Sequence, residues 1–211
     1  MAGSTTPRTT REQILDAAVH LFAVKGYAHT GMDEIAKEVG ITKPAIYYHF
    51  ESKEKLFRTL MERLEEFQEK SVQEIAEKNL DIHDLLEEVI LRTIMLLREV
   101  PDWFQMMHRI LTADPELAEL IDLRAHHLKD HERFLKLFQN PLRGHRLRPG
   151  LNPDDFVDHF LNVLGGNIAH WQFLKEPLDE TEAPRRIRDQ ILYGTLEPPV
   201  TREGPRAPAA L

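Results

Sequence analysis

Cysteine is absent from this chain. That one absence excludes disulfides, thiolate metal sites and cysteine nucleophiles together. No apolar run approaches the roughly 18 residues of a membrane span. No cationic stretch followed by an apolar one opens the chain in the manner of a secretory signal. A soluble, cytoplasmic protein with no membrane partner is therefore expected. No run of alternating β-branched residues suggests a strand. HExxH, GxSxG and a glycine-rich phosphate loop are all missing. No convergent acid, base or nucleophile set points to an enzyme, so neither catalysis nor a cofactor is expected. What remains, in 211 residues, is 42% apolar side chains, enough to bury a real core.

Bulk basic charge is also lacking, since the net charge is −8. Its distribution is uneven. Residues 1–60 hold eight Lys/Arg against seven Asp/Glu, and the remainder holds 19 against 28. The acid lies in the later part, while the first sixty residues are nearly neutral with their bases grouped locally. Phosphate binding needs local positive charge rather than a basic pI, so nucleic acid is not excluded. Modest non-specific affinity is the expectation.

Almost every segment reads with helical period. Thr10-Arg11-Glu12-Gln13 is a capping box that opens a helix with Ile14, Ala17, Ala18, Leu21 and Phe22 on one face, ended by Gly26. A second short helix starts near Thr30 and stops at Gly40. A third follows at once, with Thr42 as cap and Pro44 in its first turn. Ser52 caps a fourth, long helix to about Lys78. Further helices are predicted over about 82–99, 102–112, 115–139, 153–175 and 184–195, with a basic, Gly/Pro-punctuated loop over 141–150. The fold class is all-α, with about nine helices. The expected division is a disordered arm over 1–8, a three-helix helix-turn-helix head over 9–52, a helical body over 53–196 and a Pro/Ala-rich disordered tail over 197–211.

The informative stretch runs from Thr30 to Lys53. Ala36, one turn before Gly40, lets a second helix backbone come close, and Gly40 tolerates the left-handed turn between the helices. Ile35, Val39, Ile41 and Ile46 pin the pair from beneath. Lys43, Ala45, Tyr47, Tyr48 and His49 are left on or near the outer side of the third helix. An aromatic, hydroxylic and basic outer face suits a helix lying in the major groove of double-stranded DNA. A core role for Tyr47 and a purely supporting role for His49 remain open at this point, and Phe50 reads as core.

These residues have a known likeness. Thr9-Thr10-Arg11-Glu12-Gln13-Ile14-Leu15-Asp16-Ala17-Ala18, Phe22, Gly26-Tyr27, Thr30, Ile35-Ala36, Gly40-Ile41, Ala45 to Phe50, and Lys53-Leu56 strongly resemble the head of the TetR family, over about residues 9–60. The resemblance implies a repressor that binds a palindromic operator as a homodimer and leaves it when a small-molecule effector binds the body. By the same resemblance Thr30 and Thr42 would cap helices against phosphate, and Lys43, Ala45 and Tyr47 would face bases. Tyr48, His49 and Lys53 would bind the DNA backbone, with Pro44 in the same helix.

The body offers candidates for both implied roles. Phe156, Phe160, Val163, Gly165, Gly166, Trp171, Ile187 and Ile191 are the candidate dimer residues. Paired glycines inside a helix are destabilising by about 1 kcal/mol each, and close helix approach at a subunit interface would compensate. Trp103, Phe104, Met107, Leu120, Leu123, Phe134 and Phe138 are candidates for lining an effector pocket, and their character suggests an apolar effector. Core filling is the competing reading for each of them. His127 and His131, one turn apart, raise the alternative of a metal-sensing regulator of the same fold using the histidines of 126–131. The charged surroundings favour a solvated cluster instead.

Overall fold

The computed structural model describes residues 8–112, 122–174 and 179–197. Nine helices stand among the described residues. They are α1 (Thr10–Lys25), α2 (Met32–Val39), α3 (Lys43–His49), α4 (Lys53–Ala76), α5 (Ile82–Glu99), α6 (Pro101–Thr112), α7 (Leu123–Gln139), α8 (Pro153–Leu174) and α9 (Glu182–Thr195). No strand occurs among them. An isolated antiparallel bridge pairs Leu147 with Leu196.

The helix starts follow local chemistry. Thr9, not Thr10, caps α1: its Oγ1 accepts the Glu12 N–H at 3.3 Å, while Glu12 Oε2 accepts the Thr9 N–H at 2.8 Å. The box therefore lies one residue earlier than the sequence suggested. Ser52 Oγ accepts from the Lys55 N–H at 3.1 Å and opens α4, which ends at Ala76. Asp81 Oδ1 accepts from His83 N–H at 2.8 Å and Asp84 N–H at 3.0 Å, capping α5. Glu197 was expected in a disordered tail, yet its N–H donates to the Arg146 carbonyl at 2.8 Å and it is anchored there. Residues 198–211 and 1–7 lie outside the described residues.

Two hydrophobic clusters form the interior. The first joins α1, α2 and α3 to the start of α4, with Ile14, Phe22, Ile35, Ile46, Phe50, Leu56 and Phe57 at its centre. It does not stop at residue 52, because Leu60 and Met61 of α4 and Met106 of α6 belong to it. Phe22, Tyr27 and Phe57 form a ring cluster there, with centroids 5.2–6.1 Å apart. The second cluster holds α5 and α7 to α8 and α9. Four phenylalanines knit it together: Phe134, Phe138, Phe156 and Phe160, with centroid separations of 4.9–6.0 Å. Such pairs add about 0.5–1.5 kcal/mol beyond their buried area.

The α5 cap yields a test with a pH signature. The Asp84 and His83 amides hold the Asp81 carboxyl below its usual range, against a smaller opposing effect of burial. Asp81→Ala should lower stability in urea denaturation at neutral pH by about 1 kcal/mol. The folded carboxyl is the stronger acid, so this contribution is full above the unfolded-state value and is lost as pH falls through the folded one. The gap between wild type and variant should therefore close below about pH 3.8, the ordinary value. An unchanged gap in strong acid would contradict the cap's role.

Candidate nucleic-acid interface

The turn between α2 and α3 decides the geometry. Gly40 has φ +77° and ψ 26°, the left-handed conformation that residues with a Cβ adopt at a cost. Its N–H donates to the Lys37 carbonyl at 3.1 Å, and the Ile41 N–H donates to the Ala36 carbonyl at 2.9 Å, closing α2. Thr42 Oγ1 then accepts the Ala45 N–H at 3.4 Å, starting α3 two residues later. Ala36 is buried, as a close crossing requires.

This turn presents α3 with one face down and one face out. Ile46 is fully buried and Phe50 is 3% exposed. Thr42, Lys43 and Pro44 are exposed, and Ala45 and His49 are half-buried. Tyr47 is 41% exposed and Tyr48 86% exposed. The core alternative for Tyr47 is thereby removed. Tyr48 and His49 meet edge-on, 5.4 Å apart. Lys43 Nζ donates to Asp33 Oδ2 of α2 at 2.8 Å. That hydrogen bond first, then the carboxylate charge, raises the affinity of the ammonium for its proton.

Two expected members do not stand at this surface as proposed. Thr30 is 1% exposed, and its hydroxyl donates to the Gly26 carbonyl at 2.8 Å. The position before α2 that faces solvent is Gly31, which offers no side-chain cap. Thr30 is thus a fastener of the α1–α2 corner, because its side chain turns inward to satisfy a carbonyl left open by the end of α1. Lys53 also turns inward. Its ammonium donates to the Tyr27 carbonyl at 2.9 Å and lies 4.1 Å from the Tyr27 ring centroid. A cation over a ring face is attracted by the ring quadrupole.

Sequence reasoning missed the partner of α1. Trp103, Met106 and Met107 share one face of α6 at i, i+3 and i+4, and that face packs on the α1–α4 cluster. Phe104, offset from them, packs on the other cluster. The spacing was a readable signal, but bulk alone had suggested a pocket. Asp102 Oδ2 meets His20 Nδ1 of α1 at 2.8 Å, and Arg109 donates to the Val24 carbonyl at 3.0 Å. Of the other pocket candidates, Phe134 and Phe138 sit in the phenylalanine cluster, where Phe138 is fully buried. Leu120 and the side chain of Leu123 lie outside the described residues. A groove of about 490 Å³ does open between α4 and α7, lined by Glu65, Glu69, Val72, Gln73, Ala76, Lys129, Arg133, Lys136 and Leu137.

The dimer candidates divide likewise. Phe156, Phe160, Ile187 and Ile191 are fully buried within one chain and Trp171 is 6% exposed, so these side chains are taken up by the chain's own core. They were assigned outward because apolarity marks burial without saying against what. Val163 is half-buried, and Gly165 and Gly166 are exposed, with open space where a Cβ would stand. The close helix approach within the chain falls at Gly194 instead, where an added Cβ would come within 2.5 Å of His159 Nε2. Exposed Tyr193 lies beside it on α9. His127 is exposed, while His131 turns to Asp158 at 3.4 Å. His126 lies between Glu65 at 3.6 Å and Asp130 at 3.7 Å. Among the described residues no group of three His, Cys, Asp or Glu is arranged to hold a metal ion.

Comparison with known proteins agrees with this arrangement. The model for "Bacterial regulatory proteins, tetR family" matches residues 14–60, the stretch that builds α1, α2, α3 and the start of α4. Residues 14–60 thus form a TetR-family DNA-binding head. The multidrug-efflux repressor SmeT of Stenotrophomonas maltophilia, in its triclosan complex, superposes with a TM-score of 0.71 at 22% identity, covering 95% of this chain and 100% of SmeT. The likeness of fold thus reaches beyond the head to the helices that follow it. The HTH-type regulator AcrR of Shigella flexneri is 47% identical over 53 residues, 25% of each chain. The nucleoid occlusion factor SlmA of Marinobacter nauticus is 27% identical over 191 residues, 87% of this chain and 96% of SlmA. A chain with this head is a DNA-binding transcriptional regulator, and no described helix is long and apolar enough to cross a membrane.

The contrast between inward and outward threonine and tyrosine is testable by stability alone. Thr30→Val should cost about 1 kcal/mol, the net value of a lost hydrogen bond. Tyr47→Ala and Tyr48→Ala should stay within about 0.5 kcal/mol of wild type, as surface changes do. Thermal melts followed by circular dichroism separate the two. A Tyr47 variant that unfolds many degrees early would place that ring in the core after all.

Proposed function

We propose that this protein is a homodimeric repressor that reads a palindromic operator with α3 of each subunit and is released by a small-molecule effector bound in the part formed by α4 to α9. The observation that carries the reading is the exposed outer face of α3: Lys43, Tyr47 and Tyr48 stand away from a helix anchored from beneath by Ile46. Thr42, Pro44, Ala45 and His49 complete the surface offered to DNA. In this reading bases are met by Lys43, Ala45 and Tyr47 and phosphates by Tyr48 and His49, while Thr30 and Lys53 act by holding the α1–α2 corner.

Dimerisation is assigned to the exposed side of α8 and α9, around Val163, Gly165, Gly166 and Tyr193. Small residues there let a second chain come close, and two-fold pairing would present two α3 helices to half-sites one turn apart. The effector is assigned to the α4–α7 groove. Its rim carries six charged or amide side chains above Val72, Ala76 and Leu137. An amphiphile with an apolar stem and a polar end fits that lining better than a purely apolar compound. SmeT, of the same fold, is described in complex with triclosan, which supports a small molecule as the ligand class.

Binding to a duplex recovered by in vitro selection tests the reading. Contact with about six phosphates should reduce affinity roughly 10³-fold between 50 and 200 mM salt. Tyr47→Ala should weaken the selected duplex at least about tenfold, within the 1–3 kcal/mol expected of a base-edge contact. Gly165→Arg should leave a folded chain that runs as a monomer in gel filtration and has lost operator binding. A folded Tyr47→Ala protein with wild-type affinity would refute the assignment of α3. Triclosan, fatty acyl and aromatic compounds should be screened for release of DNA, and inertness of the whole panel would remove the effector from the proposal.

A further inference from the structure

Lys43 opens α3 at the edge of the exposed face, yet its ammonium is already held. It donates to Asp33 Oδ2 at 2.8 Å, and both side chains are more than 60% exposed. Asp33 lies in the first turn of α2, where a negative charge is favoured by the unpaired amides of the helix start. The pair therefore bridges the two helices of the motif on their solvent side, opposite the buried Ile35 and Ile46. Lys43 is not alone in being held. Lys25 pairs with the next acid of α2, Glu34, and Arg58 pairs with Glu54 at 2.9 Å.

A paired lysine behaves differently from a free one toward DNA. An ammonium has three N–H donors, and one is spent on Asp33. The ion pair has no net charge, so it gains little from a phosphate and releases little counterion on approaching one. The two remaining donors stay available on a side chain whose range is narrowed by the bond to Asp33. Adjacent acceptors such as O6 and N7 of guanine, in the major groove, match two donors from one side chain. Pairing thus trades a phosphate-seeking point charge for a geometry-dependent reader.

We propose that Asp33 is a specificity-determining positioning residue: it withholds the Lys43 ammonium from phosphates and presents its two remaining protons to a base edge. The proposal rests on the reading of α3 as the DNA-reading helix. It assigns to α2 a role beyond supporting α3, namely lowering affinity for the wrong sequence. It also gives part of the near-neutral charge of residues 1–60 a function, since the charge of Lys43 is offset by Asp33 at the motif itself.

The test uses the full chain and two duplexes of equal length, one recovered by in vitro selection with the wild-type protein and one with its sequence scrambled. Affinities are read by fluorescence anisotropy across 50 to 200 mM salt. Asp33→Asn should bind the scrambled duplex about 3–10-fold more tightly, with a log–log salt slope steeper by about 0.9 per bound subunit, one extra phosphate each. Its affinity for the selected duplex should change less, so discrimination narrows. Asp33→Glu keeps the carboxylate and should restore most of the discrimination, which loss of a merely structural residue would not predict. Lys43→Met serves as the control on the underlying reading. If Lys43→Met and Tyr47→Ala both leave the selected duplex bound as before, the assignment of α3 fails and the proposal goes with it. If Lys43→Met weakens that duplex while Asp33→Asn leaves the scrambled affinity and its slope unchanged or lower, the role of Asp33 alone is overturned.

Discussion

The burial of Ile46 is the constraint on which the rest of the molecule depends. α3 has seven residues, and isolated helices shorter than about 12–15 residues are marginal in water. It exists because Ile46 is fully buried, Phe50 nearly so, Thr42 caps its start and Gly40 supplies the left-handed turn before it. Stability is thus supplied mainly by the inner face and the two ends. Tyr47 and Tyr48 take little part in it, and the exposed Lys43–Asp33 pair adds little.

The anchor of α3 is in turn held from behind. α1 lies between α2 on one side and α6 on the other. Met106 of α6 is fully buried among side chains of α1 and α4, and Arg109 binds the carbonyl of Val24 near the end of α1. α4 runs from the cluster around Leu56 and Phe57 to Ile75, which belongs to the phenylalanine-rich cluster. Two covalent and packing links therefore cross between the clusters, α4 and α6. Close-packed interiors transmit displacement rather than absorb it. A shift of α6 must carry α1 with it or open the Met106 contact. The groove between α4 and α7 lies against the other of these links. The geometry needed for a change among α4–α9 to reach α3 is present without any disordered connector.

The sequence was most legible where local chemistry decides. The helix-turn-helix spacing, the Gly40 turn, the Thr42 and Ser52 caps and the outward Tyr48 follow from rules acting over four or five residues. Legibility fell where a residue's partner is distant in sequence. Thr30 looked like a cap because threonine before a helix usually is one, but the end of α1 left a carbonyl for its hydroxyl. Phe156, Phe160, Ile187 and Ile191 showed that they are buried, and nothing local says whether by their own chain or by another. Trp103, Met106 and Met107 had the spacing of a helix face, but its destination, α1, is about 85 residues earlier. Lys43 is an intermediate case. Its place on the outer face was readable, whereas its bond to Asp33 required the crossing angle of α2 and α3.

Charge completes the picture of how a near-neutral surface can serve DNA. Residues 1–60 carry almost no net charge, but the structure distributes that balance as specific pairs: Arg8 with Asp16, Lys25 with Glu34, Lys43 with Asp33 and Arg58 with Glu54. Exposed pairs of this kind contribute little to stability, so folding alone gives weak grounds for so many. Their common effect is close to the surface, where each carboxylate offsets the cation beside it. Free cations attract every phosphate at long range, whereas held ones respond only within contact distance. On the proposed reading of α3, cations offset close to the surface leave a larger share of the discrimination to the short-range geometry of that helix.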